Sequence, residues 1–150
     1  MKNVGVIGVG DMGSGIALNL IKNGFNVFGC DLLQDRQEAF KKMGGSLETS
    51  VATLGKKCDA VFVMVMNGDQ AKSIIFDKDG LAQNMSLGST IILSATIKPS
   101  EAKEIGHSIK GSGINLIDTP VSGGFPGAQS GTLTLSLIHI YEPTRRKRIS

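Results

Sequence analysis

The sequence is poor in cysteine and aromatic residues and has no long apolar run. Its two cysteines, beside six methionines, do not make a disulfide scaffold. No apolar stretch approaches the ~20 residues of a membrane span, so no membrane partner is expected. Glycines break the first apolar stretch almost at once, which argues against a signal peptide. Met1 stands directly before that stretch, and the expected compartment is the cytoplasm. Charge of one sign is scarce too, with 16 Lys+Arg against 13 Asp+Glu. At 41% hydrophobic residues the chain is too apolar and too evenly charged for a disordered segment. Its 150 residues suffice for one domain with a core and fall short of two.

What is abundant is glycine, 20 of 150 residues, well above the ~7% norm. Such an excess points to backbone positions that need unusual angles or close approach. The net charge of +3 and the pI near 9.0 hint at an acidic partner. Their location removes the hint. Arg145, Arg146, Lys147 and Arg148 crowd the tail with Glu142, while residues 1–134 carry 12 basic and 12 acidic side chains. The only tyrosine, Tyr141, and His139 also lie there. So sharp a shift marks a boundary, with a domain over 1–134 and a tail over 135–150.

Within 1–134 short apolar runs alternate with helical spacing. The runs are Val4–Ile7, Val27–Cys30, Asp59–Met66, Thr90–Leu93 and Ile114–Ile117. Being mostly uninterrupted, they suit strands buried on both faces of a parallel sheet. Ile16, Ala17, Leu20 and Ile21 share one helical face, and Ala102, Ile105 and Ile109 another behind Pro99. Ala39, Phe40 and Met43 form the apolar side of 35–43, with Gly44 as a stop. This rhythm predicts an α/β, doubly wound, Rossmann-type parallel sheet.

Gly8-Val9-Gly10-Asp11-Met12-Gly13 fits G-x-G-x-x-G. Alone the pattern is weak, but here it follows a strand, opens a helix, and is followed about 20 residues on by Asp31. Gly8 permits the tight turn, Gly10 lets a pyrophosphate approach the backbone, and Gly13 lets helix and sheet pack closely. The helix N-terminus offers N–H groups and a positive dipole end to phosphates. Asp31 can accept from ribose hydroxyls and repels a 2′-phosphate, which favours NAD over NADP. Arg36 could soften that preference. Asp11 either brings a negative charge close to the phosphates or caps the helix.

A second motif is Asp118-Thr119-Pro120-Val121-Ser122-Gly123-Gly124. The Ser122 hydroxyl with the Gly123 and Gly124 amides could form an anion nest for a substrate carboxylate; the other reading is a simple turn. His107 reads as a surface side chain. Cys30 and Cys58 read as small buried residues, and Met64 and Met66 as strand core.

The stretch Val6–Asp31, with its Gly-x-Gly-x-Met-Gly form, Asn19-Leu20 and Gly24, resembles the opening of the β-hydroxyacid dehydrogenases. That family includes 3-hydroxyisobutyrate, tartronate semialdehyde and threonate dehydrogenases. Asp118–Gly124, continued by Gly127-Ala128 and Gly131–Thr134, resembles its substrate-binding signature. Ser94-Ala95-Thr96-Ile97 resembles its Ser-Ser-Thr-Ile loop, with Ala95 as a departure. The resemblance makes Thr96 a cofactor contact, although a helix-capping hydroxyl stays open for it. It also makes the Met66-Asn67 loop a cofactor contact; Asn67, Gln70, Phe76 and Gly80 look closest to the threonate branch. The candidate cofactor-binding residues are Gly8, Val9, Gly10, Asp11, Met12, Gly13, Asp31, Met66, Asn67 and Thr96. The candidate substrate-binding residues are Ser122, Gly123 and Gly124. The cofactor is expected to be NAD, and no metal is expected.

The resemblance implies hydride transfer between a small β-hydroxy acid and the nicotinamide, with a lysine as general acid/base on a long helix beyond this domain. No lysine here matches it, and the helical second domain that closes the site and builds the oligomer is not found. The chain is therefore expected to bind cofactor without turnover, as part of a homo-oligomeric enzyme. Residues 135–150 resemble instead the translation of a transposon-end adaptor from sequencing libraries and are expected to be non-native. Two other readings are a redox-sensing NAD(P)-binding module and a nucleic-acid binder acting through a genuine basic tail. The first leaves the second motif without a purpose.

Overall fold

The computed structural model describes residues 2–94 and 97–119, and the backbone alone of Val121–Ser122, Thr134–Leu135 and His139–Tyr141. Strands β1 (Asn3–Ile7), β2 (Asn26–Cys30), β3 (Ser46–Leu47), β4 (Ala60–Val63), β5 (Thr90–Leu93) and β6 (Asn115–Asp118) form a parallel sheet in the order β3-β2-β1-β4-β5-β6. Helices α1 (Asp11–Lys22), α2 (Gln34–Lys42), α3 (Val51–Lys57), α4 (Gly68–Phe76), α5 (Leu81–Asn84) and α6 (Pro99–Ile109) connect the strands. The chain winds outward from β1 to one edge, then from β4 to the other. This is the expected doubly wound arrangement.

Beyond β6, β7 (Val121–Ser122) pairs antiparallel with β8 (Thr134–Leu135). The backbone of β9 (His139–Tyr141) runs antiparallel along β6, with Ile117 opposite Ile140. Part of the segment expected to be foreign thus supplies an edge strand.

Two apolar clusters lie on opposite faces. The larger joins Val61, Val63, Ile91, Leu93 and Leu116 of the sheet to Leu54, Ala71, Ile75, Leu81, Ile105 and Ile109 of α3 to α6. The smaller joins Val6 and Val27 to Ala17 of α1 and Phe40 of α2. The expectation of strands buried on both faces holds for β1 but not for β2, β4, β5 and β6. Apart from the exposed Asn26, their residues alternate between buried and half-buried. Helices α1 and α2 reach over β1 and β2 and seal only that part of the second face.

The three helical faces read from sequence form helices, with one adjustment. Pro99 opens α6, with Ala102, Ile105 and Ile109 buried and His107 exposed. Gly44 ends α2 at φ +102°. Ala39, however, is exposed, because α2 buries only Phe40, whose ring lies against Gly29 and Gly45. Met66 is not strand core: β4 stops at Val63, and Met66 is 83% exposed beyond it. The short β3, α3 and α5 offer too few residues to display a period. Cys58 is buried and Cys30 half-buried. Burial, aided by the nearby Asp59 and Glu48 charges, pushes the Cys58 thiol up to about 12.

Candidate functional site

β1 lies between β2 and β4, where the winding reverses, so the C-terminal ends of these strands flank a crevice. The Gly8–Gly13 turn fills its floor. Gly8 has φ +89°, a left-handed value that favours glycine. Its amide donates to the Cys30 carbonyl at 3.0 Å, joining the turn to the end of β2. A Cβ on Gly8 would collide with the Met64 carbonyl oxygen, and one on Gly13 with the Gly8 carbonyl oxygen. The turn is therefore pressed between β4 and its own helix.

Gly10 is the N-cap of α1 and brings no side-chain cap. The first-turn amides lack intrahelical partners and stand at the positive end of the helix dipole. Asp11 is the first helical residue and is exposed, so the capping role considered for it is not taken up. Its carboxylate remains near the same helix end. Met12 is half-buried. Val9 as a whole is only 1% exposed, and its amide is engaged by Asp31. Ser14, not singled out in the sequence, braces the turn through Oγ, which donates to the Val9 carbonyl at 2.5 Å.

Asp31 follows β2, its side chain 6% exposed. Its Oδ2 accepts from the Val9 amide at 2.9 Å and its Oδ1 from the Leu33 amide at 2.9 Å. Gln37 Nε2 donates to its carbonyl at 2.6 Å. The acid and the glycine-rich turn are thus one hydrogen-bonded unit. Each carboxylate oxygen retains acceptor capacity, since the pair offers about four lone-pair sites. The next residue, Leu32, is 98% exposed and was missed in the sequence. Its signal was an apolar residue directly after the acid.

After β4, Asn67 caps α4: its Oδ1 accepts from the Gln70 amide at 2.9 Å. Gln70 Oε1 accepts in turn from the Met66 amide at 2.9 Å. This reciprocal cap holds the Met66-Asn67 loop and leaves the Asn67 Nδ2 group as its donor. The Asn-x-x-Gln spacing was the sequence signal for α4. Thr96, Gly123 and Gly124 lie outside the described residues, as does the side chain of Ser122. Asp118 and Thr119 are buried at the end of β6. The Thr119 and Ser94 hydroxyls are buried without hydrogen-bond partners. Among the described residues no group of three His, Cys, Asp or Glu could hold a metal.

The glycine cradle suits a diphosphate, because its glycines present backbone where a side chain would take up the space, with the Arg36 guanidinium over Gly10. The acid at its edge suits a vicinal diol. A dinucleotide carries both groups, and the residues fit one.

The family described as the NAD binding domain of 6-phosphogluconate dehydrogenase matches residues 3–137. The chain is 40% identical over 134 residues to an L-threonate dehydrogenase of Cupriavidus necator, covering 89% of this chain and 45% of that protein. It is 35% identical over 133 residues to a probable mitochondrial 3-hydroxyisobutyrate dehydrogenase of Dictyostelium discoideum, covering 89% and 41%. The crystal structure of a 3-hydroxyisobutyrate dehydrogenase from Salmonella typhimurium superposes with a TM-score of 0.85 at 30% identity. It covers 91% of this chain and 48% of that one. The chain spans less than half the length of these relatives.

Proposed function

The chain belongs to the family of the NAD binding domain of 6-phosphogluconate dehydrogenase, and on that premise we propose that it is the cofactor-binding part of an NAD-dependent oxidoreductase. The whole enzyme acts on the CH–OH group of a small β-hydroxy acid such as threonate or 3-hydroxyisobutyrate. The names of its relatives support that substrate class. The observation that carries the reading is the 2.9 Å hydrogen bond from the Val9 amide to Asp31, which sets the acid against the phosphate turn.

In this reading Gly8, Gly10 and Gly13 shape the cradle, and the α1 amides beginning at Asp11 and Met12 hold the pyrophosphate. Asp31 accepts from the ribose. Met66, Asn67 and Thr96 border the cofactor, and Ser122, Gly123 and Gly124 receive the substrate carboxylate. The bound dinucleotide supplies the hydride acceptor. The general acid/base falls to a lysine of the longer enzyme, since no residue here fits that role.

We assign the domain to 1–134 and read 135–150 as non-native. An open sheet edge pairs with any extended chain through main-chain groups, so the position of β9 is compatible with a foreign segment. We place the whole enzyme in the cytoplasm as a homo-oligomer, without membrane or nucleic-acid partners. Among the described residues no helix is long and apolar enough to cross a membrane.

Titration with NADH tests the reading. The chain binds NADH, Asp31→Ala weakens it by about tenfold or more, and hydroxy acids with NAD give no turnover. Absence of NADH binding would overturn the assignment. Steady dehydrogenation by this chain would overturn the placement of the acid/base.

A further inference from the structure

Helices α4 and α6 follow β4 and β5, which pair with Val63 opposite Leu93. Both helices therefore open at the C-terminal end of the sheet, on the β4–β5 side of the crevice. Glu101, half-buried in the first turn of α6, joins their starts. Its Oε2 accepts from the Lys98 amide at 3.1 Å, which closes the N-terminus of its own helix. The same carboxylate lies against the first residue of α4. A Cβ on Gly68 would stand 2.5 Å from Oε2, 2.6 Å from Cδ and 3.0 Å from Oε1 of Glu101. Only a glycine leaves the carboxylate this room. There it faces the positive ends of two helix dipoles. One turn further along, Lys72 Nζ lies 2.8 Å from Glu104 Oε2, but that pair is partly solvated and holds the helices weakly. Asn67, directly before Gly68, caps α4 through the Gln70 amide. A shift of Gly68 against Glu101 therefore carries the Met66-Asn67 loop with it.

We propose that Glu101 is a positioning residue that fixes the Met66-Asn67 loop for the nicotinamide half of the dinucleotide. The inference rests on the dinucleotide reading above and adds a residue that lies in none of the site motifs. Asp31, after β2, accepts from the ribose of the adenosine half, so the other nucleotide crosses β1 and lies over the ends of β4 and β5. Glu101 acts there through Gly68 and the Asn67 cap, not by touching the cofactor. The carboxylate keeps the two helix starts at one separation, and with them the width of that half of the crevice.

The test compares NADH with ADP-ribose by isothermal titration calorimetry, for the wild type, Glu101→Ala, Glu101→Gln and Gly68→Ala. ADP-ribose keeps the adenosine, both phosphates and the second ribose, and lacks only the nicotinamide. Glu101→Ala weakens NADH by about fivefold and leaves ADP-ribose within about twofold. Glu101→Gln keeps the acceptor and the shape, and binds NADH within about twofold of the wild type. Gly68→Ala, whose methyl group displaces the carboxylate, weakens NADH as Glu101→Ala does, and the double variant is no weaker than either alone. Retained ADP-ribose binding shows that a variant is folded; if Glu101→Ala binds neither ligand, Gly68→Ala decides in its place. An unchanged NADH-to-ADP-ribose ratio overturns the role of Glu101 and leaves the dinucleotide reading standing. So does a Glu101→Gln as weak for NADH as Glu101→Ala. A wild type that binds neither ligand overturns both.

Discussion

On one face of the sheet Val61, Val63, Ile91, Leu93 and Leu116 are fully buried beneath α3 to α6. On the other, α1 and α2 seal Val6 and Val27, but Ile92 and Ile117 on β5 and β6 stay half-buried. Among the described residues neither isoleucine joins a core cluster. The larger cluster is built from aliphatic side chains that interlock. The smaller depends on one aromatic ring seated on glycine backbones. The fold's stability is therefore concentrated on one face, while the glycine cradle belongs to the turn that begins the other.

The strongest test of this contrast is Phe40→Ala. It removes the ring that fills the smaller cluster and should cost about 3–5 kcal/mol in urea denaturation. A loss below that of an exposed substitution would show that the smaller cluster is not held by this ring. Next come paired truncations on β5. Ile91→Ala should cost about 2–5 kcal/mol, and Ile92→Ala clearly less, about 1 kcal/mol, because its site is partly in water. Equal losses would mean that both faces are closed. Gly13→Ala should destabilise by about 1–3 kcal/mol and abolish NADH binding, since its Cβ meets the Gly8 carbonyl. Binding that survived would show the turn can widen.

The last test is a pH dependence on the closed face. The Cys58 thiol is held up at about 12 in the folded chain, against about 8.5 when free. The unfolded chain thus loses this proton first as pH rises. The native state then binds the extra proton, and its advantage declines between about pH 9 and 12. A melt series should show that alkaline decline reduced in Cys58→Ala. Alkylation at pH 8 should label the half-buried Cys30 before Cys58.

Much of the fold was legible because its cues are local. Pro99 marked the start of α6, Gly44 the end of α2, and the spacing of Ala102, Ile105 and Ile109 the buried side. The misreadings have a common cause. Ala39 and Met66 are apolar residues whose exposure depends on where an element stops and what packs over it. Neither fact is written in the neighbouring residues. The candidate site was likewise half legible. The glycine pattern and Asp31 stood out by spacing, whereas Ser14, Leu32 and the Asn67–Gln70 cap did not.

By itself the sequence determined the five longer strands, the helices α1, α2 and α6, the glycine turn and the acid that follows it. These rest on backbone angles, apolar periodicity and side-chain chemistry, which act over a few residues. Only the tertiary structure decided that Asp31 holds Val9, that Arg36 lies over Gly10, and that one sheet face is closed while the other is partly open. Those contacts join residues about 20 or more apart. They exist because parallel pairing brings the ends of β1, β2 and β4 together.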